Sequence, residues 1–197
     1  MIQKIGNSGK EFYLCLMEKE DIEEVLQLCD QCVGQNLYQK EELAKTIGSN
    51  ERWFLLLKTS EGELAGYIYY YLTAAEYIAE DARLSIEKIR HVCRREAAPV
   101  GKIQSIGVKE KFRRQGLAVH MLQYALDGLS EKGIEEVFIV CWNAGGRVPL
   151  AKALQACRFS HLSSAKMIWY DKEDLFCPYC KGRCRCDAEV YYKKVCN

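Results

Sequence analysis

The chain has 197 residues, with 28 Lys and Arg against 27 Asp and Glu, a formal charge of +1. That length fits one domain with a real core, on a prior of ~100–200 residues per domain. The charge balance argues against general binding to nucleic acid or to a membrane surface. The longest uncharged run, residues 64–75, falls well short of the ~20 residues of a membrane span. The opening MIQKIGNSGKEFY has no apolar core for a signal peptide. A soluble, cytoplasmic protein without a membrane partner is the expectation. Eleven cysteines are many for such a chain, and disulfides are not the default there. Cys15, Cys29, Cys93, Cys141 and Cys157 sit among apolar residues and read as small core hydrophobes.

In chain order, residues 11–17 (EFYLCLM) form a first predicted strand. Asp21 with Glu24 three positions on has the form of a capping box, and Ile22, Val25, Cys29 and Val33 share one face of the helix that follows. A short helix over 41–47 is closed by Gly48. Strands over 53–58 and 64–72, joined by the Glu61-Gly62 turn, read as a hairpin. Residues 76–98 fit one inserted helix with Ala82, Ile86, Ile89 and Cys93 on its apolar stripe and Arg83, Lys88, Arg90, Arg94 and Arg95 elsewhere. It is either a solvated helix or a wall whose arginines meet an acidic substrate. Pro99 ends it. Ile103, Ile106 and Val108 then mark a strand, and Arg113-Arg114-Gln115-Gly116 a basic turn. Leu117, Met121, Ala125 and Leu129 have helical spacing. VFIVCW at 137–142 suits a strand buried on both faces. A turn at Asn143, a helix over 148–156, a strand over 159–170 and a closing strand over 188–195 complete the chain.

A strand feeding a basic, glycine-bearing turn that opens a helix is an anion cradle. The helix's first amides lack intrahelical partners, its dipole adds positive charge, and Gly116 lets a phosphate approach the backbone. R-x-x-G-x-A at Arg113, Gly116 and Ala118, after Val108, resembles the acyl-CoA pyrophosphate loop of the GNAT superfamily of N-acetyltransferases. The element order fits that family too. The resemblance implies a single α+β domain with a mixed, mostly antiparallel sheet flanked by helices. It implies an acetyl-CoA-dependent transferase whose acceptor is an amine of a small molecule or peptide. It further implies that the amides of Arg114, Gln115, Gly116, Leu117, Ala118 and Val119 hold the pyrophosphate. Ile106, Gly107 and Val108 would pair with the pantetheine arm, the Val108 amide or a neighbour facing the thioester carbonyl.

The proton chemistry departs from the family. Aligning Phe159 with the phenylalanine of the family's Gly-Phe pair puts Leu154 where many members carry a tyrosine, and leucine donates no proton. Asn143 fits the family's CoA-side asparagine and could orient a water, or is simply a turn residue. Gln104 and Ser105 flank the central strand, neither a strong base. His120, one turn past Gly116, is the remaining catalytic candidate, with His91 and His161 weaker still. Cys141 reads as an inert buried thiol.

Cys177, Cys180, Cys184 and Cys186 form C-x2-C-x3-C-x-C, inside a cysteine-rich loop over 171–187 between the last two strands. Four thiolates suit a structural Zn2+ site, with Gly182 permitting the turn. A reduced cysteine-rich tip and a redox pair at Cys177 and Cys180 are the alternatives. In each case the loop is expected to stiffen a substrate wall carrying Lys181, Arg183 and Arg185. A catalytically weak acyl-CoA-binding module that docks a partner through this loop is the second functional reading.

Overall fold

The computed structural model describes residues 3–7, 10–95 and 97–195. The strands are β1 (Gln3–Asn7), β2 (Lys10–Leu16), β3 (Arg52–Thr59), β4 (Leu64–Thr73), β5 (Val100–Val108), β6 (Glu136–Asn143), β7 (Ser160–Ala165), β8 (Phe176–Cys177), β9 (Gly182–Arg183) and β10 (Asp187–Lys194). The helices are α1 (Ile22–Val33), α2 (Lys40–Ala44), α3 (Ala75–Asp81), α4 (Ile86–Arg90), α5 (Leu117–Glu131) and α6 (Ala151–Ala156). Eight strands make one sheet in the order β1-β2-β3-β4-β5-β6-β10-β7, antiparallel throughout except where β5 meets β6. The α+β class with a mostly antiparallel central sheet is therefore as expected.

Each face of the sheet buries its own core. Ile103, Met121, Leu122, Ala125 and Leu129 join β5 to α5 on one face, with Leu154 of α6 in the same cluster. Val25, Leu28, Tyr67, Tyr69 and Tyr71 join α1 to β4 on the other. The period-2 alternation of β4 against the helical stripe of α5 explains both layers.

Several expectations are corrected. Residues 76–98 are not one helix but α3 and α4, because the chain breaks at Arg83, whose φ is 52°. Leu84 N–H closes the end of α3 on Ala79 O at 2.9 Å, and Ser85 restarts the chain in an extended conformation. Asp21 does not cap α1 with its side chain. One carboxylate oxygen accepts from Glu18 N–H at 3.0 Å, and the other from Lys58 Nζ at 2.6 Å. The strand expected over 159–170 stops at Ala165, since Met167 takes a left-handed φ of 48° and Tyr170 N–H closes a turn on its carbonyl at 3.0 Å. β1 and the β8-β9 hairpin are additions to the expected order.

Candidate active site

The site arises where two neighbouring strands part. β5 and β6 pair in parallel only at Gly101, Lys102 and Ile103, opposite Val137, Phe138 and Ile139. Beyond Ile103 the register of β5 against β4 shifts, Tyr69 facing Ser105 while Tyr70 faces Ile103, so Gln104 is the extra residue of a bulge. A bulge adds local twist, which turns residues 104–108 away from β6. The gap opens into a cavity of about 1010 Å³ lined by both strands and the Arg113–Val119 turn.

One edge of β5 is left for a ligand. Lys109 N–H donates to Ala65 O at 2.8 Å, which makes Val108 and Gly66 a non-hydrogen-bonded pair of the antiparallel ladder. The N–H and C=O of Val108 therefore turn to the other edge, and by alternation those of Ile106 do too. Val108 O there accepts from Arg113 Nε at 2.9 Å. Gly107 lies where no side chain fits: a Cβ on it would sit 2.5 Å from Tyr67 Cε1 and 2.9 Å from Cys32 Cβ.

At the mouth, α5 starts on Gly116, whose φ of 77° is left-handed, and no side chain caps the helix. Arg114, with φ 63°, is left-handed as well. Two such residues in one short turn bend the backbone sharply where α5 begins. Arg113, Arg114, Arg147 and Lys152 line the same cavity, against the carboxylates of Asp81 and Glu110. The volume reaches the top of the ~300–1,000 Å³ range of ligand pockets. Trp142 Nε1, in the cavity wall, is a buried donor without a partner among the described residues. A long ligand with an anionic end and an amide-bearing arm fits these features, and acetyl-CoA is such a ligand.

The inner end is polar. Lys102 is 1% exposed and donates to Asp81 at 2.6 Å, with its Nζ 5.0 Å from the centre of the Tyr77 ring. Burial holds the Lys102 pKa below its ordinary value, against the pull of Asp81. Gln104 Oε1 accepts from Tyr71 Oη at 3.1 Å, and Ser105 Oγ lies 2.5 Å from Tyr38 Oη, buried. Burial pushes the Cys141 thiol up to about 12, so it stays protonated at neutral pH.

The structure thus brings together Gln104, Ser105, Ile106, Gly107, Val108, Arg113, Arg114, Gly116, Leu117, Ala118 and Val119 around one cavity. Gln115 and two of the catalytic candidates stand outside that lining. Asn143 Nδ2 donates to Glu189 at 2.7 Å, in a group with His161 and Ser164 on β7. His120 is exposed on α5. Leu154 is buried in the core, 2% exposed. Asp81, Lys102, Arg147, Lys152 and Tyr179 line the cavity and carry no local motif, since each comes from a separate stretch of chain. Lys181, Arg183 and Arg185 are not in the cavity wall. Arg183 instead donates to Tyr170 O at 2.6 Å and stacks over that ring at 4.1 Å.

No curated protein sequence matches the chain. Among solved structures, NAA60 of Arabidopsis thaliana in complex with acetyl-CoA is similar at a TM-score of 0.69 and 12% identity, covering 93% of this chain and 98% of that one. The ribosomal-protein-S18-alanine N-acetyltransferase of Escherichia coli follows at 0.65 and 12%, covering 94% and 95%. An N-acetyltransferase of Staphylococcus aureus Mu50 reaches 0.64 and 15%, covering 94% and 99%. At such identities these likenesses concern the fold. Among the described residues no helix is long and apolar enough to cross a membrane. The model of the acetyltransferase (GNAT) family matches residues 19–147. That match spans both arms of the splay and the cradle between them, and on it the chain belongs to the acetyltransferase (GNAT) family.

Proposed function

We propose that this chain moves an acetyl group from acetyl-CoA directly to the primary amine of a small molecule or peptide. The observation that carries the reading is the parting of β5 from β6 beside an uncapped helix start. It leaves an unpaired strand edge and a basic turn on one cavity. The arm of the cosubstrate pairs with Ile106 and Val108, and its phosphates meet the amides of residues 114–119 with Arg113, Arg114, Arg147 and Lys152 adding charge. The amine approaches from the side of Asp81 and Gln104, whose oxygens accept its N–H bonds. Its nitrogen attacks the thioester carbonyl, an N–C bond forms, the nitrogen sheds one proton to solvent, the C–S bond breaks, and the thiolate takes up a proton. Backbone N–H groups of the β5 edge stabilise the oxyanion.

With leucine at 154, the proton for the thiolate comes from elsewhere. Tyr179 is the tyrosine of the cavity lining, held edge-on to Trp142 with centroids 6.0 Å apart. We assign it the donor role. Tyr179→Phe keeps the ring and removes the proton, so kcat drops about 100-fold with KM little changed; an unaltered kcat overturns the assignment. The ten described thiols are all unpaired, which suits the cytoplasm, a reducing compartment.

The whole reading is tested by thiol release from acetyl-CoA over a panel of amines. Turnover on an amine, lost in Arg113→Glu/Arg114→Glu together with thermal stabilisation by CoA, is the expected result. Stabilisation by CoA without turnover on any amine instead supports the binding-module reading, which the buried Leu154 favours.

A further inference from the structure

Cys177, Cys180, Cys184 and Cys186 come from a loop outside the cradle, yet they converge. The Sγ atoms of Cys177, Cys180, Cys184 and Cys186 all lie within 4.8 Å of one another. Cys177 and Cys186 stand 3.8 Å apart, and Cys180 and Cys186 3.6 Å apart. A disulfide requires about 2.05 Å, so these are not bonded pairs. A tetrahedral zinc site with Zn–S bonds of ~2.3 Å places its sulfurs ~3.8 Å apart. The spacings of 3.8 and 3.6 Å match that figure, and no pair exceeds it by more than about 1 Å.

The backbone is folded to hold such a set. Lys181 N–H donates to Cys177 O at 2.9 Å, closing a turn that aims the sulfurs of Cys177 and Cys180 the same way. Lys181 adopts a left-handed φ of 53°, a conformation a non-glycine residue takes at a cost. Arg185 N–H donates to Cys180 Sγ at 3.2 Å, the kind of bond that steadies a metal-bound thiolate. Cys177 and Cys184 are fully buried and Cys186 is 5% exposed. Four thiolates around a divalent ion carry a net charge of about −2, and Lys181 and Arg185 neighbour the cysteines in the chain. β8 and β9 have two residues each, and the apolar cluster beneath them has Leu175 as its one buried residue besides cysteines. A hairpin that small does not hold itself together in water.

We propose that Cys177, Cys180, Cys184 and Cys186 bind one structural zinc ion, and that this ion braces the wall of the active-site cavity. The brace has two arms. Phe176 exchanges backbone bonds with Gln35 beyond α1, at 3.1 and 3.2 Å. Tyr179, between two of the ligands, packs edge-on to Trp142 of β6 and lines the cavity. The ion therefore fixes the loop that spans both sides of the splay. Ion binding stands on the sulfur geometry alone, whereas its effect on the cavity rests on the acetyl-CoA reading above.

The test uses the full chain, purified without added metal and examined by elemental analysis. About one zinc per chain is expected. After chelation in reductant, Co2+ alone should give the thiolate charge-transfer and d–d bands of a tetrahedral sulfur site. Cys180→Ala should lose both signals, and Cys180→His, which restores a zinc ligand, should regain them. Cys93→Ser, outside the cluster, should keep them and guards against a general effect of thiol loss. Zinc near zero with no cobalt spectrum overturns the proposal, as does stoichiometric iron in its place. CoA binding to the chelated protein, measured by calorimetry, should be about tenfold weaker and recover on adding zinc. Zinc at full stoichiometry with CoA affinity unchanged on its removal sinks the bracing role alone. Failure of the acetyltransferase reading instead shows as absent turnover in protein that still holds its metal.

Discussion

Gly107 and Gly116 serve the same cavity for different physical reasons. Gly107 is pressed by Tyr67, which is wholly buried, and by Cys32, so an added methyl has no side to yield toward. Gly107→Ala should destabilise the fold by about 1–3 kcal/mol, read as a lower urea midpoint at unchanged slope; an unshifted midpoint contradicts the packing. Gly116→Ala meets a left-handed φ instead, which costs ~1–2 kcal/mol, and it sets a Cβ against the anion. Its larger effect should be on stabilisation by CoA. Glu189 gives a pH test at the same scale. Burial pushes its carboxyl up, but hydrogen bonds from Ser164, Asn143 and His161 outweigh this and hold the pKa below the ordinary value. A depressed folded pKa contributes stability at neutral pH that is lost as pH falls through the acid range. Glu189→Gln should flatten that part of the stability profile, measured by denaturation from neutral pH downward. The turn at Gly116 that opens α5 was legible in the sequence, because a glycine hinge before a helical stripe is local. The pressure on Gly107 was not, because Tyr67 and Cys32 reach it from β4 and α1.

At the level of elements, the insertion of α3 and α4 is tied to the central strand by the ion pair of Asp81 with Lys102. Lys102 has 2% of its side chain exposed and Asp81 24%. A lone charge left at Lys102 has little water to return to. Asp81→Leu should therefore cost about 3 kcal/mol, the low end for a broken buried pair because the solvent-touched Asp81 shares the load. Asp81→Leu combined with Lys102→Met removes both charges and should recover most of that loss in a double-mutant cycle by denaturant. Additive losses would mean the two residues do not depend on each other. The helical stripe Ala82, Ile86, Ile89 and Cys93 was readable as apolar, and Ala82 and Ile89 are indeed buried. The break at Arg83 was not readable, since arginine is a good helix former and does not announce a left-handed turn. β1 escaped notice for a related reason: five residues with one glycine carry too little alternation, and the strand exists by pairing with β2.

Across the whole molecule, the near-neutral charge conceals an asymmetry. The formal charge is +1, yet five cations line the cavity against two carboxylates, and with Lys102 paired to Asp81 four of them remain at its mouth. Arg113 and Arg114 belong to the motif, whereas Arg147 follows β6 and Lys152 lies on α6, so the patch exists only once the sheet has assembled. A sequence discloses the turn that starts such a patch but not the residues that finish it. The patch is small and open to solvent, so its attraction for an anion is strongly screened. The Debye length falls from ~10 Å at 0.1 M salt to ~3 Å at 1 M, which separates charge contacts from the strand-edge bonds deeper in the cavity. CoA affinity should therefore fall steadily with salt, while binding of a pantetheine fragment without phosphates should stay nearly level. Arg147→Glu should weaken CoA about tenfold at low salt and flatten its salt dependence, leaving the fragment unaffected. Titration calorimetry over a salt series measures all three. Equal salt slopes for CoA and the fragment would remove the cations from the binding site and leave the strand edge as its sole anchor.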